Sequence, residues 1–152
     1  MKQMPVDAAL YMRFPCVLRD KLLNNELKFP QNTRFVYDKI LTYRAVERKK
    51  DDVSPITRED FRSYLELGKK PKPRGVTKDI LSDPTYYGVS SFLNQRRVEQ
   101  LMKFPNPNKK MASGYVYDEA GPEYTKEDHV CWWLFEDADV SGFRLIEEKS
   151  DG

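Results

Sequence analysis

The sequence is poor in the residues that build metal and thiol chemistry. It holds one histidine, His129, and two cysteines, Cys16 and Cys131, among 152 residues. These cannot fill the closed tetrahedral Cys/His set of a structural zinc site, so no metal is expected. The cysteines lie far apart in FPCVL and HVCWW, and read as buried thiols of a reducing compartment. Long apolar runs are missing as well: none approaches the roughly 20 residues of a membrane span. The opening stretch, MKQMPVDAALYMRFP, carries one Lys and no apolar core, unlike a secretory signal. The expectation is a cytoplasmic protein with no membrane partner. Charge of one sign is not in excess either. A net charge of +2 makes no whole-molecule case for nucleic acid or membrane. Walker A, GxGxxG, GxSxG and HExxH motifs are absent.

Aromatic residues, by contrast, are plentiful. Nine Tyr, eight Phe and two Trp supply large core pieces, within 39% hydrophobic and 33% charged residues. A chain of this length buries roughly two-thirds of its unfolded surface and needs no staples to fold. Residues 1–152 are therefore read as one domain.

Local patterns assign the elements. CVLRDKLLNN places Val17, Leu18, Lys21 and Leu22 on a helical stripe that stops at Asn24-Asn25. Residues 33–48 are rich in Thr, Val, Ile, Tyr and Phe and read as extended, with Phe35, Tyr37, Leu41 and Tyr43 on one face and a bend at Asp38-Lys39. SPITREDFRSYLELG (54–68) predicts a helix capped by Thr57 and Asp60, with Phe61, Tyr64 and Leu65 as its stripe and Gly68 as terminator. KKPKPRG (69–75) is a basic, Pro-broken loop. Asp83-Pro84 starts a turn, Tyr87 to Phe92 is strand-like, and Asn94 caps a helix with Val98, Leu101 and Met102 on its buried face. Strands follow at MASGYVYDE (111–119), at the apolar run HVCWWLFE (129–136), read as a central strand buried on both faces, and at SGFRLIEE. No internal repeat is present. Helices and strands mix without regular βαβ alternation, which predicts an α+β domain with a mixed, mostly antiparallel sheet and flanking helices.

The order of these pieces carries a resemblance. An aromatic-Arg strand (Tyr43-Arg44) is followed by a capped helix and a Gly-x-Ser-Ser-Phe strand entering a helix (88–98). A strand at 111–119 and a late strand-turn-strand (129–147) complete the series. This layout resembles the ADP-ribosyltransferase fold, including RES-type toxins and the poly-ADP-ribose polymerase branch. The resemblance implies NAD as cofactor. It implies that Arg44 meets a phosphate or ribose, with Tyr43 beside it, and that Ser90 or Ser91 bonds the nicotinamide ribose. It implies that Tyr87 or Phe92 stacks on the nicotinamide. Where that family places a catalytic Glu, this chain has Asp128-His129. Arg44, Ser90, Asp128 and His129 are thus the implied catalytic set, for ADP-ribose transfer or NAD hydrolysis by a protein that would bind NAD more readily than turn it over.

Plainer roles stand beside these. Arg44 fits a solvated ladder with Glu47, Arg48, Lys49 and Lys50; Ser90 and Ser91 fit ordinary strand positions; His129 fits a structural role. A different function is carried by Lys69, Lys70, Lys72 and Arg74 in one Pro-containing loop and by Lys109-Lys110 in another. Basic loops beside tyrosines bind phosphates and stack bases. The alternative is therefore a non-enzymatic binding or inhibitor protein of a mobile element, acting on a protein or nucleic-acid partner.

Overall fold

A computed structural model describes residues 4–49, 51–68, 80–102 and 109–146. It is a small α+β domain built on a six-stranded antiparallel sheet. Helices α1 (Met4–Tyr11) and α2 (Cys16–Leu23) open the chain, and strand β1 covers Ile40–Glu47. Strand β2 (Val89–Phe92) leads into helix α3 (Gln95–Leu101), and strand β3 covers Lys109–Val116. Strands β4 (Glu123–Lys126), β5 (His129–Trp132) and β6 (Arg144–Ile146) follow. The sheet order is β4-β5-β2-β1-β3-β6.

Strand alternation divides the apolar residues between the two faces. One face carries Val46, Val89, Ala112, Val116, Val130 and Trp132, and Phe61, Leu134, Val140 and Phe143 close over it. On the other face, Cys131 joins Trp133, Tyr87 and the α2 residues Leu18 and Leu22 in a second cluster. That second cluster sits at the β4–β5 end, so the opposite half of this face is not sealed by it. Of the run 129–136, residues 130–135 are buried while His129 is partly exposed and Glu136 exposed, and only His129–Trp132 is strand. That strand lies second from the sheet edge, and the centre of the sheet is β2–β1.

Two glycines are set by close approach. A Cβ on Gly88 would stand 2.4 Å from the Cys131 sulfur. Gly121 has φ 148°, and a Cβ there would stand 2.0 Å from the Trp133 carbonyl oxygen.

Two element expectations are corrected, and one strand was not expected. The helix expected over 54–68 is one 3₁₀ turn, Arg58–Phe61, and the chain is extended again at Arg62. Its capping box does form, with Thr57 accepting from the Glu59 N–H and Asp60 from the Thr57 N–H. The carbonyls that would carry the helix onward are taken by guanidiniums: Arg44 donates to Asp60 O and Arg58 to Phe61 O. The extended segment 33–48 becomes a strand only at Ile40; before it, Phe35 packs on Phe29 and the Tyr37 hydroxyl donates to Gly121 O at 2.7 Å. The strand without a sequence expectation is β4. Its inward residue is Glu123, fully buried and ion-paired with Arg34, so the segment shows no apolar alternation to read.

Candidate functional site

The face that carries the second core cluster also carries one continuous row of side chains that the cluster does not cover. Directly opposed residues of an antiparallel pair point to the same side. The register links Arg144 to Ser113, Ser113 to Tyr43, Tyr43 to Phe92, Phe92 to His129, and His129 to Lys126. The row therefore crosses all six strands, or roughly 24 Å at a strand spacing of about 4.8 Å. None of its members is buried; Arg144 and Lys126 are exposed and the four between them partly so. Three adjacent rings are thus flanked by a cation at each end. One step along the strands, Leu41 opposes Tyr115, and each is 45% exposed. The Lys39 ammonium lies 4.6 Å from the Tyr115 ring centre.

Polar contacts fix the middle of this row. Ser90 Oγ and His129 Nε2 are 2.8 Å apart. The Phe92 and His129 rings lie 5.2 Å apart, tilted by 55°. Arg97, from the first turns of α3, places its guanidinium carbon 5.3 Å from the Phe92 ring centre. The same guanidinium holds Asp128 through Nη1 at 3.3 and 3.4 Å. Helix α3 starts where it does because Asn94 Oδ1 accepts from the Arg96 N–H at 2.9 Å, and that start sets Arg97 over Phe92.

The residues assigned from sequence separate between the two faces. Ser90, Phe92, Tyr43 and His129 share the face of the row, with Asp128 beside it on Arg97. Arg44 points to the other face, opposite Ala112, with its guanidinium carbon 4.9 Å from the Phe61 ring centre. There β1 and β2 part beyond the Tyr43–Phe92 pair. Arg44 bridges the split, donating to Ser90 O and, at 3.1 Å, to Asp60 O. Burial lowers its pKa to about 10, against the raising effect of Asp60 and Tyr64, and it remains charged at neutral pH. A cavity of about 350 Å³ beside it is lined by Arg44, Ser90 and Phe92.

Two cofactor assignments are corrected by burial. Tyr87 is 4% exposed, packs in the second core cluster and donates its hydroxyl to Leu81 O, so its ring cannot stack on a ligand. Ser91 is fully buried on the Arg44 face, opposite Val130, away from Ser90. Of the two cysteines expected to be buried, Cys131 is, and burial raises its thiol's pKa strongly, whereas Cys16 is exposed. In the alternative set, Lys109 and Lys110 are not in a loop but open strand β3, where Lys110 donates to Asp52 O at 2.8 Å and Lys109 opposes Glu47 across β1–β3. Lys69, Lys70, Lys72 and Arg74 lie outside the described residues. Among the described residues no three His, Cys, Asp or Glu groups gather as for a metal, and no helix is long and apolar enough to cross a membrane.

The row itself escaped the sequence reading. Its members come from six strands, and only the register aligns them. The one signal available was the aromatic content of Tyr43, Phe92 and Tyr115 at outward strand positions. No family model, curated protein or solved structure matches the chain.

Proposed function

We propose that this chain is a non-enzymatic binding protein whose ring-bearing sheet face takes single-stranded nucleic acid. The observation that carries the reading is the register-aligned row Arg144–Ser113–Tyr43–Phe92–His129–Lys126. Unpaired bases offer flat faces to rings and to guanidinium planes, and the Phe92–Arg97 pair provides both. Lys126 and Arg144 stand where a strand laid across the rings would carry its phosphates. The recognition is by stacking and charge, so it is tolerant of sequence.

Fluorescence anisotropy with labelled oligo-dT and oligo-U, against a duplex of equal length, tests this at two salt concentrations. Single strands bind more tightly than duplex. Tyr43→Ala and Phe92→Ala each weaken binding by about 1–3 kcal/mol. Lys126→Ala and Arg144→Ala each make the salt dependence shallower by about one counterion. Equal binding of duplex, or no effect of the two ring deletions, contradicts the reading.

A second reading, an NAD-binding ADP-ribosyltransferase-like protein, is favoured by one observation: the Ser90–His129 contact beside the cavity that Arg44 and Phe92 line. Against it, Tyr87 and Ser91 are buried, and both terminal nitrogens of Arg44 already donate to backbone carbonyls, although its buried Nε has no partner. Calorimetry with millimolar NAD separates the two: binding heat lost in Ser90→Ala supports the second reading, and no heat supports the first.

A further inference from the structure

A larger cavity lies where the 53–56 segment, the start of β3 and strand β6 meet. Its volume is about 790 Å³, within the range of roughly 300–1,000 Å³ typical of small-molecule sites. Ile56, Met111 and Phe143 line it and are themselves buried, at 7%, 2% and 4% exposure, so they form its floor. Leu145 adds to that apolar wall. The charged part of the lining is of one sign, beside the neutral Ser54 and Ser141. Lys109, Lys110 and Arg144 border the cavity, and no carboxylate does among the described residues. Lys110 is committed to Asp52 O, which ties the 52–54 segment against β3 as one wall. Lys109, which opposes Glu47 across β1–β3, and Arg144 are the other cations of the lining. Val53, 79% exposed, stands at the mouth.

We propose that this cavity is a binding site for a single-chain anionic amphiphile, an alkyl chain ending in a carboxylate. The apolar floor takes the chain, because burying apolar surface drives it out of water. The cationic rim takes the head group, because a charge-assisted hydrogen bond to Lys or Arg is about twice as strong as a neutral one. An uncharged amphiphile of the same length gains only the first of these. A free phosphate gains only the second. The site is independent of the ring row except that Arg144 borders both.

Isothermal titration of the full chain with dodecanoate, below its micelle concentration, tests the proposal against dodecanol and inorganic phosphate. Dodecanoate binds saturably at one site, about tenfold more tightly than dodecanol, and phosphate gives no heat at the same concentration. Val53→Glu, an exposed position that folding tolerates, weakens dodecanoate about tenfold and leaves dodecanol unchanged. Lys109→Gln weakens dodecanoate by about threefold or more. Phosphatidylglycerol vesicles test the competing source of such a head group, and the protein stays off them in a flotation assay. The proposal is overturned if dodecanoate shows no saturable binding, if dodecanol binds equally well, if Val53→Glu changes nothing, or if the protein floats with vesicles while ignoring dodecanoate.

Discussion

Arg48 shows how single side chains replace regular structure in this molecule. It is 9% exposed and donates to both Asp60 oxygens, at 2.6 and 2.8 Å, and to the carbonyls of Glu47 and Pro55 at 2.7 and 3.0 Å. A buried pair of this kind adds little net stability over an apolar substitute, but removing one partner strands the other charge. Asp60→Ala is therefore expected to cost about 3–5 kcal/mol in urea melts. Arg48→Lys is expected to be damaging too, since an ammonium cannot reproduce the planar fork. The pair also sets an acid limit. Burial on its own raises the Asp60 pKa, but hydrogen bonds from Arg48 and the Thr57 N–H, with the charges of Arg48 and Arg44, hold it below the ordinary 3.8. A folded pKa below the unfolded one contributes stability above the unfolded value and loses it as pH falls through the folded value. Stability measured from about pH 5 down to pH 2 should fall less steeply in Asp60→Asn than in the wild type.

At the level of elements, what the sequence shows depends on what each segment buries. The α2 stripe, the Asn94 cap and the apolar run at 129–136 are legible because local spacing and burial agree. Strand β4 is not legible, because its core-facing position holds Glu123, whose partner Arg34 lies 89 residues away in sequence. The 54–68 segment misleads for a related reason. Its cap signals are genuine, yet Arg44 and Arg58 take the carbonyls on which a helix would grow, and neither donation is visible in local sequence. Of the site, the individual residues Tyr43, Ser90, Phe92 and His129 stand out as candidates, but their alignment depends on register between strands distant in sequence. The contrast has an energetic consequence. Thr57→Ala removes one cap on a single turn and should cost about 1 kcal/mol. Trp133→Ala empties a core position that is 1% exposed, packs on Phe29 and donates to Pro84 O at 2.9 Å. It should cost about 3–5 kcal/mol. Denaturant melts of both variants check the order, and a larger loss at Thr57 would contradict the placement of the core.

Across the whole molecule, one sheet face is packed over, and the other carries the second cluster at β4–β5 and helix α3 beside β1 and β2, leaving the ring row partly exposed. The sealed face spends its aromatics on packing: Phe61, Trp132 and Phe143 meet edge to face or tilted at 4.8 to 5.9 Å. The other face keeps Tyr43, Phe92 and His129 partly exposed between Lys126 and Arg144, the surface proposed above for a flat, anionic partner. With a net charge of only +2, attraction to that partner rests on the local placement of Lys39, Lys126 and Arg144. A titration of labelled protein with oligo-dT, followed by backbone and side-chain chemical shifts in two-dimensional NMR, reads the surface residue by residue. Shifts concentrated at Tyr43, Phe92, Arg97, Ser113, Lys126, His129 and Arg144, with the ring protons of Tyr43 and Phe92 moving upfield as bases stack on them, are the expected result. Shifts confined to Lys109, Lys110 and the 69–74 loop, or no shifts at millimolar oligonucleotide, would contradict it.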